Sequence, residues 1–263
     1  MTLSSIRDYC TLAACLLLAA CSRPAANGKV TVAAAADLQF ALPQVAAQFR
    51  AANPGIEVSA VYGSSGNFYS QIRNGAPFDL FLSADMDYPR RLAAEGFAVP
   101  DSLFAYAVGR IVVWAPAKSG LDIARLGIHA LESDAVKHVA IANPQHAPYG
   151  RAAEAAMRSL GVYDRVAPKL VLGENIAQTL EFVQSGAAEA GIVALSLALA
   201  PAVQDQGSYW EVPLDAYPRI EQGGAILSRA RGSAATASLR GFLQSAPARR
   251  ILREYGFYMP EGR

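Results

Sequence analysis

Residues 56–74 read Ile56-Glu57-Val58-Ser59-Ala60-Val61-Tyr62-Gly63-Ser64-Ser65-Gly66-Asn67-Phe68-Tyr69-Ser70-Gln71-Ile72-Arg73-Asn74, and two periodicities meet inside them. Apolar residues alternate over 56–61, as in a strand, while 68–74 carry a helix-like pattern, so 62–67 form a loop that opens a helix. A helix start exposes N–H groups with no intrahelical acceptor. Two glycines allow close approach and two serines add hydroxyl donors, which makes the loop a site for an anion. A polar turn with a serine N-cap accounts for the same six residues. Recurrence of the junction along the chain favours the anion reading.

Working outward, residues 29–36 form a short β-branched and alanine-rich strand. Asp37 then precedes the amphipathic series Leu38, Leu42, Val45, Ala46, Phe49 and is the expected N-cap of that helix, which ends near Asn53-Pro54-Gly55. Gly75-Ala76-Pro77 punctuates a turn before a buried strand at 78–82, and Asp85 or Asp87 caps a helix running through Glu95. Further strands are expected at 111–115, 139–142, 169–172 and 190–194, and helices at 151–160 and 176–185. The tail over 234–255 is helical, broken near Pro247.

Strands alternating with helices imply an α/β chain with mainly parallel, doubly wound sheets, whose strand-to-helix loops gather at one sheet edge. The strands are too many for one compact sheet, so two lobes flanking a cleft are expected. Crossovers near Gly109 and Pro218 make lobe one discontinuous (29–108 and 222–263) and lobe two continuous (109–221). Little periodicity marks 204–224.

The N-terminus stands apart. Arg7 precedes an apolar stretch over 12–20 that is too short to span a membrane and reads as a secretory signal. It ends in Leu18-Ala19-Ala20-Cys21, which resembles a bacterial lipobox and implies cleavage after residue 20, a lipidated Cys21 and a linker over 21–28. All three cysteines (Cys10, Cys15, Cys21) fall in this segment, so the body has neither a disulfide framework nor thiol chemistry. With a formal net charge of +1 and 17% charged residues, nucleic acid is excluded as a partner.

Four junctions can supply donors: Ala36-Asp37, Ser64-Ser65, Tyr149-Gly150 and Asn175-Ile176, two from each lobe, none with Lys or Arg inside the motif. A small anion held only by N–H and O–H dipoles in a dry cleft is a coherent design, because those bonds are charge-assisted. The motifs Ala33-Ala34-Ala35-Ala36, Gly63-Ser64-Ser65-Gly66, Gly75-Ala76-Pro77-Phe78-Asp79-Leu80-Phe81-Leu82-Ser83-Ala84-Asp85, Asn143-Pro144, Ala147-Pro148-Tyr149-Gly150, Glu174-Asn175-Ile176, Phe242-Leu243 and Tyr255-Gly256-Phe257 carry a resemblance over nearly the whole body. The chain resembles the periplasmic molybdate-binding proteins of ABC importers. That resemblance implies a type II periplasmic binding protein fold that closes on molybdate or tungstate, with no reaction, no cofactor and no metal ligated directly by protein. It further implies a monomer, tethered to the membrane through lipid alone, that meets a permease and its ATPase. Carried over motif by motif, Ser65 gives its hydroxyl and amide, Tyr149 and Ile176 give backbone amides, Ala36 and Asp37 complete the set, and Ser64 is the second serine of the pair.

Two positions depart from the family pattern. Ser, Thr or Asn is common where this chain has Ala36 and Asp37, and a carboxylate about 4 Å from a dianion costs about 4 kcal/mol per charge pair at an effective dielectric near 20. Asp37 therefore folds back as an N-cap, which is the preferred reading, or is protonated, or accepts a proton from a protonated ligand. Ala194 stands where part of the family has a ligand-contacting Tyr; here the Tyr lies in the Pro148-Tyr149-Gly150 loop instead.

Competing classes fit less well. A hydrolase elbow needs Gly-x-Ser-x-Gly, which residues 63–66 lack by one residue. His129, His138 and His146 have no metal-ligand spacing. The first two are expected on the surface, and His146 is placed beside the cleft without ligating anything. Ferric iron calls for several anionic oxygens, and an organic acid for an Arg clamp, whereas Arg73 and Arg151 read as solvated helix charges. Another oxyanion on the same fold remains the alternative ligand.

Overall fold

The computed structural model describes residues 28–260; the lipobox with Cys21 and the proposed signal lie outside them. In chain order the elements are β1 (Gly28–Ala35), α1 (Ala41–Ala52), β2 (Ile56–Gly63), α2 (Ser65–Arg73), β3 (Leu80–Ser83), α3 (Asp87–Ala94), β4 (Phe104–Gly109) and β5 (Ile111–Pro116). Then come α4 (Ile123–Leu126), β6 (Val139–Ala142), α5 (Pro148–Ser159), α6 (Tyr163–Val166), β7 (Leu170–Gly173), α7 (Ile176–Ser185), β8 (Ala190–Ala194) and α8 (Leu195–Ala198). The chain closes with β9 (Gly207–Glu211), β10 (Ile220–Ile226), α9 (Ala234–Leu243) and α10 (Ala246–Glu254).

Two five-stranded sheets result, ordered β2-β1-β3-β10-β4 and β7-β6-β8-β5-β9. In the first, β10 is antiparallel to both neighbours, so the other four strands share one direction; in the second, β5 takes that reversed place. The two lobes therefore repeat one topology, that of a two-lobed periplasmic binding protein fold. Burial follows position in the sheet. Central strands β3, β6 and β8 are buried throughout, whereas edge strands β2, β7 and β9 keep exposed residues.

The chain leaves the first sheet between Gly109 and Ile111 and returns between Glu211 and Ile220. Arg110 ties the crossovers together: its guanidinium donates to the Tyr258 hydroxyl at 2.6 Å and pairs with Glu211 at 2.9 Å. Ile220 pairs with Gly109, and Glu221 with Val108, in the first sheet, two residues before the expected return at 222. Helices α9 and α10 pack back beside α1, where Phe49 meets Phe242 at 5.4 Å and Gln44 donates to the Tyr255 hydroxyl at 2.6 Å. Among the described residues no helix is long and apolar enough to cross a membrane.

Three strands escape the sequence pattern. The β4 run is separated from β5 by Arg110 alone, so the change of sheet leaves no loop to read. In β10 the apolar alternation is broken by Glu221-Gln222-Gly223-Gly224, and β9 is a half-exposed edge. Helix starts also shift: α2 begins at Ser65, three residues before Phe68, because its first turn is polar, and α1 begins at Ala41, well after Asp37. The helical tail is interrupted at Gln244-Ser245, close to the break expected near Pro247, and that proline sits in the first turn of α10, where it gives up no intrahelical bond.

Candidate functional site

The parallel strands β1, β2, β6 and β7 end at the cleft, and each hands the chain to a helical start. One small cavity of about 10 Å³ lies where these starts meet, lined by Ala36, Asp37, Ser64 and Ser65 from lobe one and Tyr149 and Ile176 from lobe two. The structure thus brings all six candidate residues to one place. That is about the room of one water molecule, far below the roughly 300–1,000 Å³ of ordinary small-molecule pockets, so it suits only a compact ligand. None of the described residues that line it is Lys, Arg or His.

Each helix start is arranged to leave a donor over. Ser65 and Ile176 are the first residues of α2 and α7, and Tyr149 is the second of α5 behind Pro148, so their N–H groups have no acceptor four residues back. The Asn175 cap takes the N–H groups of Ala177 (2.9 Å) and Gln178 (3.1 Å), passing over that of Ile176. Ser65 is 1% exposed, and its Oγ accepts from the Ala84 N–H at 3.0 Å, which leaves the hydroxyl proton to be donated elsewhere. Ser64 caps α2 through a 3.4 Å bond from the Asn67 N–H, and its Oγ lies 2.9 Å from His146 Nδ1. These helix termini add the positive ends of their dipoles.

Asp37 overturns the N-cap expectation. It sits in a single 3-10 turn, Ala36–Leu38, with no capping bond from its side chain, because Gln39 and Phe40 intervene before α1. Its carboxylate turns inward, 1% exposed, and Oδ2 accepts from the Tyr149 hydroxyl at 2.9 Å and from Gln222 Nε2 at 2.5 Å. Oδ1 is buried without a hydrogen-bond partner. Burial pushes the carboxyl up from 3.8 to about 6, the two side-chain hydrogen bonds opposing the shift. The Asp37 carbonyl accepts from Ser196 Oγ at 2.9 Å, a second bond between the lobes.

Tyr149 was expected to act through its backbone alone, yet its side chain is the main polar link across the cleft. Burial and the neighbouring Asp37 push its hydroxyl well above the usual range, which keeps it a phenol and a donor. Gly109 makes room for it: a Cβ there would lie 2.2 Å from the hydroxyl. Gln222, fully buried, also donates to the Tyr149 oxygen at 3.0 Å, and no motif in the sequence marks it as a site residue. It lies between Glu221 and two glycines in β10, a run with no apolar alternation to mark it as a strand.

Further bonds join the lobes at the cleft mouth. His146 offers its carbonyl to the Gly66 N–H at 2.9 Å, a separation that Gly66 permits because a Cβ there would meet that oxygen at 2.7 Å. Asn67 donates to Glu174, whose other oxygen lies 3.8 Å from His146 Nε2. Arg151, expected to be a solvated charge, instead pairs with Asp85 across the cleft and reaches the Tyr88 hydroxyl at 3.3 Å. Arg73 pairs with Glu95 at 2.9 Å within lobe one. His129, exposed, pairs with Glu132, and His138 is exposed as expected. Ala194 is buried in β8 and takes no part in the cavity wall.

Comparisons with known proteins agree with this architecture. Residues 30–258 match the model of a family described as bacterial extracellular solute-binding protein. The molybdate-binding protein ModA of Rhodobacter capsulatus is 41% identical over 89% of this chain and 90% of its own length. The Azotobacter vinelandii protein of the same name is 40% identical over 98% and 99%. The solved periplasmic molybdate-binding protein of Azotobacter vinelandii superposes with a TM-score of 0.82, at 32% identity, covering 88% of this chain and all of that one. With a family model matching most of its length and near full-length similarity to these relatives, the chain belongs to the bacterial extracellular solute-binding protein family.

Proposed function

We propose that this protein captures a tetrahedral oxyanion, molybdate or tungstate, between its lobes and delivers it to an ABC importer. The observation that carries the reading is the cavity itself. Three helix-start N–H positions and the Ser65 hydroxyl surround a compact space with no cationic side chain in its lining, a donor set made for a small, fully deprotonated anion. The relatives named for molybdate binding support the choice of ion.

The ligand contacts proposed are the Ser65 hydroxyl and amide, the amides of Tyr149, Ile176 and Asp37, and the edge formed by Ala36 and Ser64. The protein acts as a binding protein without catalysis, periplasmic, monomeric and held to the membrane by lipid on Cys21, and it passes its ligand to a permease driven by an ATPase. Lobe one is taken as residues 28–109 with 220–260 and lobe two as 110–219. A hydrolase reading would use Ser64 and His146, which lie 2.9 Å apart, but Glu174 at 3.8 Å is beyond the hydrogen-bond reach that orients a catalytic histidine. Ser64 is also committed to capping α2.

Titration calorimetry with molybdate, tungstate, sulfate and phosphate tests the proposal. Sub-micromolar binding of molybdate or tungstate with sulfate rejected is the expected result, and a preference for phosphate overturns it.

A further inference from the structure

An anion site lined by neutral donors contains one group of the wrong sign. Asp37 lines the cavity, and its two oxygens differ. Oδ2 already accepts two hydrogen bonds, from Tyr149 and Gln222, while Oδ1 is buried with none. An ionised carboxylate in that position repels an incoming oxyanion and leaves Oδ1 without compensation. A proton on Oδ1 removes both defects, because the protonated oxygen becomes a donor.

We propose that Asp37 captures its oxyanion together with one proton, held at Oδ1 and shared with a ligand oxygen, so that binding consumes a proton from solvent. This rests on the oxyanion reading above and specifies how that site is regulated. The groups that face the carboxyl are Tyr149 from α5, Gln222 from β10 and Tyr106 from β4, and the Ser196 hydroxyl from α8 bonds the Asp37 backbone carbonyl; none of them supplies a positive charge. Tyr217 stands behind Tyr149, and His146 with Glu174 sits at the cleft mouth beyond Ser64. Without ligand the carboxyl titrates near 6, so above neutrality it is mostly ionised and the proton must be drawn in when the anion arrives. Nothing else changes covalently.

The test is calorimetric titration of the full chain with molybdate at pH 8 in buffers of different ionisation enthalpy, which counts protons exchanged. Wild type is expected to take up close to one proton per ligand, and its affinity to fall about tenfold per pH unit between 7 and 9. The D37N variant is expected to take up none and to show a flat profile, while H146A keeps the full uptake. Binding without proton uptake overturns this proposal and leaves the oxyanion reading standing. Uptake that survives in D37N, or disappears in H146A, also overturns it. If neither molybdate nor tungstate binds at all, the oxyanion reading falls and this inference with it. The wild-type proton count and pH profile need no variant, so a misfolded D37N does not remove the test.

Discussion

The hydroxyl of Tyr149, carried by lobe two, donates to Oδ2 of Asp37, carried by lobe one, across 2.9 Å of buried cleft. A single tyrosine thus contributes its backbone to the ligand cavity and its side chain to holding the lobes together. Tyr149→Phe keeps the helix start and the ring but deletes the bond. Loss of a buried hydrogen bond to a charged group costs about 1.5–3 kcal/mol. We expect weaker ligand binding by roughly ten- to a hundredfold at that cost, read by calorimetry. An unchanged Kd would mean the bond contributes nothing to closure.

Ser65→Ala removes a hydroxyl whose lone pair already serves Ala84 and whose proton remains to be donated. Oxyanion affinity should drop by about 1–3 kcal/mol. Wild-type affinity in the variant would take Ser65 out of the ligand contacts.

Asp37 should leave a mark on stability as well. Its native pKa of about 6 lies above the ordinary carboxylate value of 3.8, so between these values the folded protein holds more protons than the unfolded chain. Its contribution is greatest below pH 3.8 and is lost as pH rises through 6, a decline of about 3 kcal/mol for a shift of that size. Asp37→Asn should lack this decline. Urea denaturation of the ligand-free proteins at pH 4.5 and pH 8 checks it: the stability gap between variant and wild type should move in favour of the variant at the higher pH. Parallel profiles would contradict the buried-carboxylate account.

Arg151 and Asp85 form a half-exposed ion pair between lobes. Its effect on overall stability should be small, about 0–1 kcal/mol. Its effect on geometry should be visible, since Arg151→Ala frees one side of the cleft mouth. Small-angle scattering of the ligand-free variant should give a larger radius of gyration than wild type; identical curves would show that the pair does not restrain opening.

Phe49→Ala probes the discontinuous lobe. Phe49 is fully buried and packs on Phe242, joining α1 to the C-terminal helices. A loss of about 3–5 kcal/mol is expected in chemical denaturation.

Much of this architecture was legible because its central strands are continuously apolar and its helices amphipathic. The segments 139–142, 176–185 and 190–194 were read with the boundaries the structure shows. The turns at Gly63-Ser64-Ser65-Gly66 and Pro148-Tyr149-Gly150 were legible because glycine, serine and proline at a helix start constrain the backbone locally, whereas the places of Ala36, Asp37 and Ile176 followed from the family resemblance. What escaped was non-local. Asp37 looked like a cap because a capping residue and a buried acid look alike in sequence, and only the distant Tyr149 and Gln222 distinguish them. Arg151 and Asp85 are 66 residues apart, so nothing nearby marks them as partners. Strand β10 was missed because the residues that make it functional, Gln222 and its glycines, are those that spoil its alternation.

The strand order has a consequence for how the chain acquires its shape. In the first sheet β10 lies between β3 and β4, so β4 has no hydrogen-bonded neighbour there until residues 220–226 arrive. The second sheet draws all its strands from one uninterrupted stretch, Ile111 to Glu211. During synthesis or refolding, the middle of the sequence can therefore complete its sheet while the first sheet waits, with β4 unpaired and the β3 edge open, for the return of the chain. The lobe that is made first is the one that is finished last.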